Sequence, residues 1–302
     1  MKLKIFYMMI FFLGMFTLLT KSETGPYNSG KMKPDQLLML PGQEGSQMLS
    51  VVLRTKNGGL IVIDGGWESD GENLCQVIKD NGGHVNAWLL THPHSDHAGA
   101  LYHILKNRKK DIQIDKIYYS FAAPEWYQQS APEDPGIASE LFSEFAKLPD
   151  SMLDGSIGKG SEINVDDIKI TALNDRYEMK NDPVNNSDIV YQAVINGKKF
   201  LFLGDLGYEG GERLLKECGK DVLKSDTVQM AHHGQGGVGK EVYAAAAPDI
   251  CLWPTPDWLW NNDSGEGPGS GPWKTLETRG WMEELGVREN YCTKDGWILI
   301  DL

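Results

Sequence analysis

The sequence contains little cysteine and no cysteine motif of the kind that binds a metal. Four cysteines occur in 302 residues, none in a CxxC pair and none at metal-ligand spacing from a histidine, so a cysteine-based zinc site is not expected. The even count permits three complete pairings, and a chain of this length can also bury its core without disulfides. Paired and free thiols therefore both stay open for Cys75, Cys218, Cys251 and Cys292.

Positive charge is also scarce. Lys and Arg total 29 against 42 Asp and Glu, a formal net charge of −13. Loss of residues 1–22, which contain three lysines and no acid, would give 26 − 42 = −16. Such a field repels a polyanion such as duplex DNA unless a local patch or a bound metal reverses it. The charge disfavours nucleic acid as a partner without excluding it.

One long apolar run is present, and it lies near the N-terminus. Two lysines precede the run at residues 5–19, and the polar residues Thr20, Lys21 and Ser22 follow it. This pattern predicts a signal peptide over residues 1–22 and an exported protein, periplasmic or extracellular. The alternative is an uncleaved membrane anchor, although the run is shorter than the roughly 20 residues of a spanning helix. No stable membrane insertion is expected after cleavage.

The remaining chain has the pattern of one α/β domain. Residues 23–34 are polar and turn-rich and are predicted to be a linker, and residues 35–302 form the domain. Two β-rich runs flank Asn57-Gly58 and predict a hairpin. Strands and helices then alternate, including single strands predicted at 85–91 and 163–173. The stretch 254–272, rich in Trp, Gly and Pro, is predicted to be irregular.

A dense group of potential metal ligands follows the strand predicted at 85–91. Three imidazoles and a carboxylate occur within six residues, at His92, His94, Asp96 and His97. Imidazole nitrogen and carboxylate oxygen suit zinc and related divalent ions. The spacing lets the first two histidines face one side of an extended turn while Asp96 and His97 reach a second position. One motif can thus serve two adjacent ions.

This HxHxDH motif resembles the signature of the metallo-β-lactamase superfamily. Further landmarks of that family follow in order: an acidic strand end at 61–66, a strand delivering an aspartate at 200–205, and a histidine motif at 231–234. The residues of these motifs are most similar to those of the branch that includes the extracytoplasmic domain of competence DNA-uptake channels. The resemblance implies a four-layer αββα sandwich, with a dinuclear cleft at a sheet edge. Two divalent ions are implied, with zinc expected and manganese or iron as alternatives.

The resemblance also implies the ligands of each ion. The ligands of the first ion are His92, His94 and Asp205. The ligands of the second ion are Asp96, His97, Asp205 and one of two adjacent histidines, with His232 favoured over His233. Asp64, at a strand end, is expected either to orient a ligand histidine or to cap a turn.

One departure from the family pattern concerns the first ion. Many members carry another histidine between the motif and the bridging aspartate, yet no histidine occurs between His103 and His232. The matching segment holds Asn185, Asn186 and Ser187, which would either bind a water or substrate oxygen or cap the next strand. The first site is therefore expected to be weaker and its metal more easily exchanged.

The implied chemistry is hydrolysis by a metal-bridged hydroxide, with Asp96 orienting the nucleophile. A phosphodiester substrate is one possibility, and an amide, lactone or β-lactam is the alternative. A metal-stabilised binding protein without activity is a third hypothesis. A diiron redox enzyme of this fold is disfavoured because such proteins usually carry an acid where His94 stands. A small-molecule or ester substrate is expected, with Trp258 and Trp260 as substrate contacts; oligomeric state stays open.

Overall fold

A computed structural model describes residues 31–302 of the chain. In chain order its strands are β1 Gln36–Met39, β2 Ser50–Arg54, β3 Leu60–Asp64, β4 His84–Val85, β5 Ala87–Leu89, β6 Gln113–Ile114, β7 Ile117–Tyr118, β8 Leu153–Asp154, β9 Glu162–Val165, β10 Ile168–Ala172, β11 Tyr191–Ile195, β12 Lys198–Phe202, β13 Thr227–Gln229, β14 Ile250–Trp253, β15 Glu289–Cys292 and β16 Ile298–Asp301. Its α-helices are α1 Gly71–Asp80, α2 Ser95–His103, α3 Pro124–Ser130, α4 Ala138–Phe145, α5 Pro183–Asn186, α6 Tyr208–Leu223, α7 Lys240–Ala246, α8 Asp257–Trp260 and α9 Thr275–Glu284.

Two seven-stranded sheets dominate the structure. The first has the order β16-β1-β2-β3-β5-β7-β8, and the second the order β15-β14-β13-β12-β11-β10-β9. In the first sheet β3, β5, β7 and β8 run parallel, as do β12, β13, β14 and β15 in the second. A small additional sheet pairs β4 with β6. Each large sheet thus combines antiparallel hairpins with a parallel half whose strands end on the same side.

The side chains of each sheet divide between two hydrophobic cores. Ile61 and Ile63 of β3 pack with Phe200 and Phe202 of β12 in a core between the sheets. Val62, which points to the opposite face of β3, packs instead with helix residues. A third core covers the outer face of the second sheet and includes side chains of α6, α7 and α9. The layers are therefore helix, sheet, sheet and helix, which confirms the predicted αββα sandwich.

Several elements differ from the sequence-based expectation. Residues 163–173 form a hairpin rather than one strand, because the chain turns at Asp166, whose φ of 51° lies in the left-handed region. Strands β1, β15 and β16 were not predicted. All four residues of β1 are buried between neighbouring strands and two apolar layers, so the polar and apolar alternation that marks a strand is missing.

The domain begins earlier than the predicted linker allows. Met32 is buried in the core beneath α1, and its N–H donates to Asn81 Oδ1 at 2.8 Å. The predicted signal peptide and residues 23–30 of the linker lie outside the described residues. Within residues 31–302, no helix is long and apolar enough to cross a membrane. All four cysteines are free thiols in the structure.

The core between the sheets is expected to dominate stability. Leu89 of β5 is fully buried there, and Leu89→Ala should lower the free energy of unfolding by about 2–5 kcal/mol because it leaves a cavity. The matched control is Leu276→Ala in α9, where the side chain is 44% exposed and the loss should be about 0.5 kcal/mol or less. Urea denaturation of both variants measures the difference, and equal losses would contradict this assignment of the core.

Candidate metal centre

The ends of parallel strands from both sheets bring the motif residues together. Asp64 ends β3, and the HxHxDH motif follows β5, the parallel neighbour of β3. Asp205 follows β12 and the two adjacent histidines follow β13, its parallel neighbour. Chemistry at the carboxyl ends of parallel strands is common in α/β folds because the connecting loops there are free to carry polar groups.

Four buried side chains form one compact group, which we call the buried ligand group. Its members are Asp96, His97, Asp205 and His233, whose ligand atoms all lie within 4.8 Å of one another. Asp205 Oδ1 lies 3.1 Å from His97 Nε2, and Asp205 Oδ2 lies 3.2 Å from His233 Nε2. His233 Nε2 is also 3.2 Å from Asp96 Oδ2. Asp205 therefore stands between the two imidazoles.

The buried ligand group fits a divalent ion. His97 Nε2, His233 Nε2 and Asp205 Oδ1 are buried, and none has a hydrogen-bond partner although they lie close to one another. A buried polar atom without a partner costs roughly 1–3 kcal/mol, so several in one place require an explanation. A cation contacted by all of them provides it, and two imidazole nitrogens with two carboxylates are a suitable donor set for zinc.

The other two histidines of the motif lie beside this group. His92 Nε2 faces His94 Nδ1 at 2.8 Å, and the His92 ring centroid is 4.2 Å from that of His97. His92 is fully buried, whereas His94 reaches the cleft described below. The pair therefore offers two nitrogens at a position adjacent to, and separate from, the buried ligand group.

Asp64 holds one ligand histidine in place. Its Oδ2 accepts a hydrogen bond from His97 Nδ1 at 2.7 Å, and Thr91 donates to the same carboxylate through its N–H and its hydroxyl. In the neutral imidazole this bond puts the proton on Nδ1, which leaves the lone pair of His97 Nε2 for an ion beside Asp205. A carboxylate behind a ligand imidazole fixes its tautomer and raises its basicity. This is the orienting arrangement that the sequence suggested for Asp64.

Asp188 lies beside His92 and was not predicted from the sequence; the hydrogen-bond partner of His92 Nδ1 is the Thr91 hydroxyl, at 3.1 Å. Asp188 Oδ1 lies 3.2 Å from His92 Nδ1, and its Oδ2 accepts the backbone N–H of Asp205 at 2.6 Å. A Cβ at Gly204 (φ 53°) would collide with this carboxylate, so glycine is required there. Asp188 thus links the first histidine to Asp205. The available signal was a lone carboxylate three residues before the apolar strand β11.

The polar residues just before Asp188 have two different roles. Asn186 Oδ1 accepts the N–H of Gly210 in α6, and its Nδ2 donates to Asn181 O. Ser187 donates to Val184 O. Both side chains hold the local chain, and neither lines the cleft at the centre. Asn185 differs, because it lines the cleft and its buried Oδ1 has no partner.

The two adjacent histidines after β13 occupy different environments. Both have positive φ, 50° for His232 and 53° for His233, which turns their side chains to different sides of the chain. His233 is fully buried, and its Nδ1 donates to Pro254 O at 3.1 Å, leaving Nε2 to the buried ligand group. His232 is 27% exposed, and its Nε2 lies 3.9 Å from Asp205 Oδ2. The structure therefore places His233, rather than the favoured His232, among the ligand atoms.

Burial and charge shift the pKa values of the centre in opposite directions. Burial, aided by the charge of His97, lowers the pKa of His92 to about 3, and burial beside His92 lowers that of His94 to about 4. Burial opposes the charged form of His233 as well, but the carboxylates of Asp205 and Asp96 raise its pKa to about 9. The pKa of His97 is raised well above its usual value against the same burial, by Asp205 and Asp64.

The centre opens into a cleft of about 550 Å³. Among the described residues, those that line it include five acids and no lysine or arginine: Gln47, Trp67, His94, Ser95, Asp96, Ser130, Ala131, Pro132, Glu133, Asp134, Asp182, Pro183, Val184, Asn185, Asp205 and His232. Trp258 and Trp260 are not among them. Trp258 donates to Gly45 O and packs edge-to-face on Trp273, and Trp260 packs edge-to-face on Trp253. Trp67 is the tryptophan that lines the cleft.

These pKa values predict that metal binding at the buried ligand group releases protons. His233, with a pKa of about 9, carries a proton at pH 7 and must lose it to bind an ion. Affinity should rise about tenfold per pH unit for each displaced proton and level off above about pH 9. Calorimetric titration with zinc in two buffers of different ionisation enthalpy counts the protons. Binding without proton release at pH 7 would contradict the assignment.

Comparisons with known proteins agree with this geometry. Residues 45–247 match the family model described as the metallo-beta-lactamase superfamily. No curated protein sequence matches the chain significantly. The chain resembles the solved structure of CmlA, a diiron beta-hydroxylase from Streptomyces venezuelae, with 13% identity and a TM-score of 0.56 over 90% of this chain. It covers 55% of CmlA, so it spans about half the length of that protein.

A second solved structure with the same fold is the metallo-beta-lactamase fold protein YhfI from Bacillus subtilis. It is 11% identical, with a TM-score of 0.54, and the match covers 87% of this chain and 98% of YhfI. At these identities the structural likenesses show the fold alone. The family model, however, spans well over half of the 302 residues and contains the motif, Asp205 and the fold around them. The chain belongs to the metallo-beta-lactamase superfamily.

Proposed function

We propose that the chain is an exported hydrolase that uses two divalent ions to cleave a neutral or cationic carbonyl substrate, such as an amide or a lactone. The observation that carries this proposal is the buried ligand group, with its unpartnered imidazole and carboxylate atoms, at the base of an acidic cleft. Export is supported by the signal pattern of residues 1–22.

Divalent ions bound at such a centre supply a Lewis acid and activate water for hydrolysis. The side chains of the chain then have distinct tasks. The buried ligand group and the pair of His92 and His94 would hold the ions. Burial would raise the pKa of Asp96, but the charges of His233 and His97 hold it far below its usual value, so Asp96 is an acceptor that can orient the attacking water.

His232 has a different task in this proposal. It lies in the wall of the cleft, partly exposed and next to Asp205, without belonging to the buried ligand group. Its imidazole can therefore donate a hydrogen bond to a substrate oxygen. Trp67 supplies an apolar face in the same cleft. A substrate carbonyl and an apolar substituent would thus both find partners.

The charge of the cleft favours this substrate class. Asp96, Glu133, Asp134, Asp182 and Asp205 line it, and within the described residues no lysine or arginine does. Two divalent ions would contribute four positive charges against these five negative ones, so the loaded cleft would still not be positive. Recognition of a phosphodiester normally relies on added lysine or arginine. The phosphodiester alternative suggested by the competence-channel resemblance is therefore the less favoured one.

The test compares substrate classes on protein loaded with zinc or manganese. We expect turnover of a chromogenic neutral lactone or ester, with little turnover of bis(p-nitrophenyl) phosphate. Asp205→Asn should lower kcat/KM by about 10²-fold or more because it removes the carboxylate between His97 and His233. Asp221→Asn, on the exposed surface of α6, is the matched control and should retain full activity.

The outcomes separate the hypotheses. Turnover confined to the phosphodiester and lost in Asp205→Asn would replace the carbonyl substrate by the phosphodiester. Bound metal with no turnover of any substrate class would favour the binding protein. Activity that is equal in Asp205→Asn and Asp221→Asn would show that the chemistry occurs elsewhere.

A further inference from the structure

The two metal positions differ in the number of side chains that complete them. The buried ligand group supplies four ligand atoms from four residues. The adjacent position has only the two nitrogens of His92 and His94, which face each other at 2.8 Å. No histidine between residues 103 and 232 can add a third imidazole. A position with two imidazoles alone would hold a divalent ion weakly, so other donors on the open side decide whether it is occupied.

Two oxygen donors line the open side. Asp182 and Asn185 lie in the wall of the same cleft as His94 and Asp205. The carboxylate of Asp182 is near enough to Gly207 that a Cβ there would lie 3.0 Å from Oδ2, which places it beside the loop that carries Asp205. Asp182 immediately precedes α5 and Asn185 lies within that short helix, so both side chains come from one turn of the chain in the same cleft wall.

The side chain of Asn185 provides independent evidence that a ligand binds at this position. Its side chain is only 4% exposed, and its Oδ1 is buried in the cleft wall without a hydrogen-bond partner. An amide oxygen in that state costs free energy unless something binds it. Asn185 lies three residues after Asp182 in the same cleft wall, so a partner for Oδ1 would lie near that carboxylate. A cation satisfies both groups at once.

We infer that Asp182 and Asn185 supply oxygen ligands to the first metal position in place of a third imidazole, so that this position selects Mn²⁺ or Fe²⁺ while the buried ligand group selects Zn²⁺. The inference rests on the proposed dinuclear centre and concerns which side chains and metals complete it. Two histidines with one carboxylate and an amide oxygen form a harder donor set than the family's three imidazoles. Carboxylate and carbonyl oxygens suit manganese, and two histidines with one carboxylate are typical of non-haem iron(II).

The conformation of the chain supports a dedicated placement of Asp182. Its φ of 46° and ψ of 56° are left-handed, an uncommon state for a residue other than glycine. The next residue, Pro183, starts the short helix α5, which carries Asn185 on the following turn. The two oxygen donors therefore come from one rigid segment, and Asn186 fixes that segment to α6 through its bond to Gly210.

The test is a metal count by electron paramagnetic resonance of Mn²⁺ on the full chain, with and without one equivalent of Zn²⁺. Wild-type protein should bind one Zn²⁺ and one Mn²⁺. Asp182→Ala should weaken Mn²⁺ binding by about 10–100-fold while the Zn²⁺ stays bound, and Asn185→Ala should weaken it less. Asp182→His should reverse the preference of the first position from Mn²⁺ to Zn²⁺, because it restores three imidazoles.

Glu133→Ala is the matched control, since it removes an exposed carboxylate that lines the same cleft. It should change the Mn²⁺ affinity by less than threefold. If Glu133→Ala and Asp182→Ala weaken Mn²⁺ binding equally, the effect comes from the overall charge of the cleft and the assignment of Asp182 is wrong. If Asp182→Ala and Asn185→Ala both bind Mn²⁺ as the wild type does, the inference is overturned while the dinuclear centre stands. If the wild type binds only one ion or none, the dinuclear centre itself fails.

Discussion

Buried carboxyl groups placed side by side require a proton or a compensating positive charge, and the edge where the two sheets meet contains four of them. Asp64, Asp96, Asp188 and Asp205 are all less than a tenth exposed, and burial together with the charge of Asp205 raises the pKa of Asp188 well above its usual value. In the metal-free protein the protons on His97 and His233 provide part of this charge, because the pKa values of both imidazoles are raised by the neighbouring acids. Divalent ions would replace those protons. The arrangement of loops, glycines and hydrogen bonds around the centre serves to hold these like charges together.

The sheet architecture determines where the residues of the centre lie, and a few backbone conformations determine where their side chains point. Parallel strands of both sheets end at the same edge, so residues far apart in sequence meet there. Left-handed residues then aim the side chains: Asp64 turns back toward His97, and His232 and His233 are aimed apart. Gly204 allows Asp188 to approach the backbone of Asp205. Behind the imidazoles, His97 Nδ1 donates to Asp64 and His92 Nδ1 is hydrogen-bonded to the Thr91 hydroxyl, which leaves the facing nitrogens free for ligands.

Much of the fold and part of the centre could be predicted from the sequence. The αββα architecture followed from alternating strands and helices and from the HxHxDH resemblance, and the structure confirms it. The choice between His232 and His233 could not be predicted, because adjacent residues in a turn differ only in tertiary burial and in the contact of His233 with Pro254. Asp188 and Asp182 belong to no motif, and only the folded chain brings them to His92 and the cleft. Aromatic content likewise pointed to Trp258 and Trp260, whereas the cleft is lined by Trp67.

The central claim is that the acids and imidazoles at the sheet edge form a dinuclear metal centre that includes His233. The most direct measurement is a crystal structure of the metal-loaded protein, with anomalous difference maps recorded at the absorption edge of each bound metal. The account predicts two peaks, one within bonding distance of Asp96, His97, Asp205 and His233 Nε2, and one within bonding distance of His92 and His94. A map without a peak at the buried ligand group, or with a peak bonded to His232 in place of His233, would contradict it.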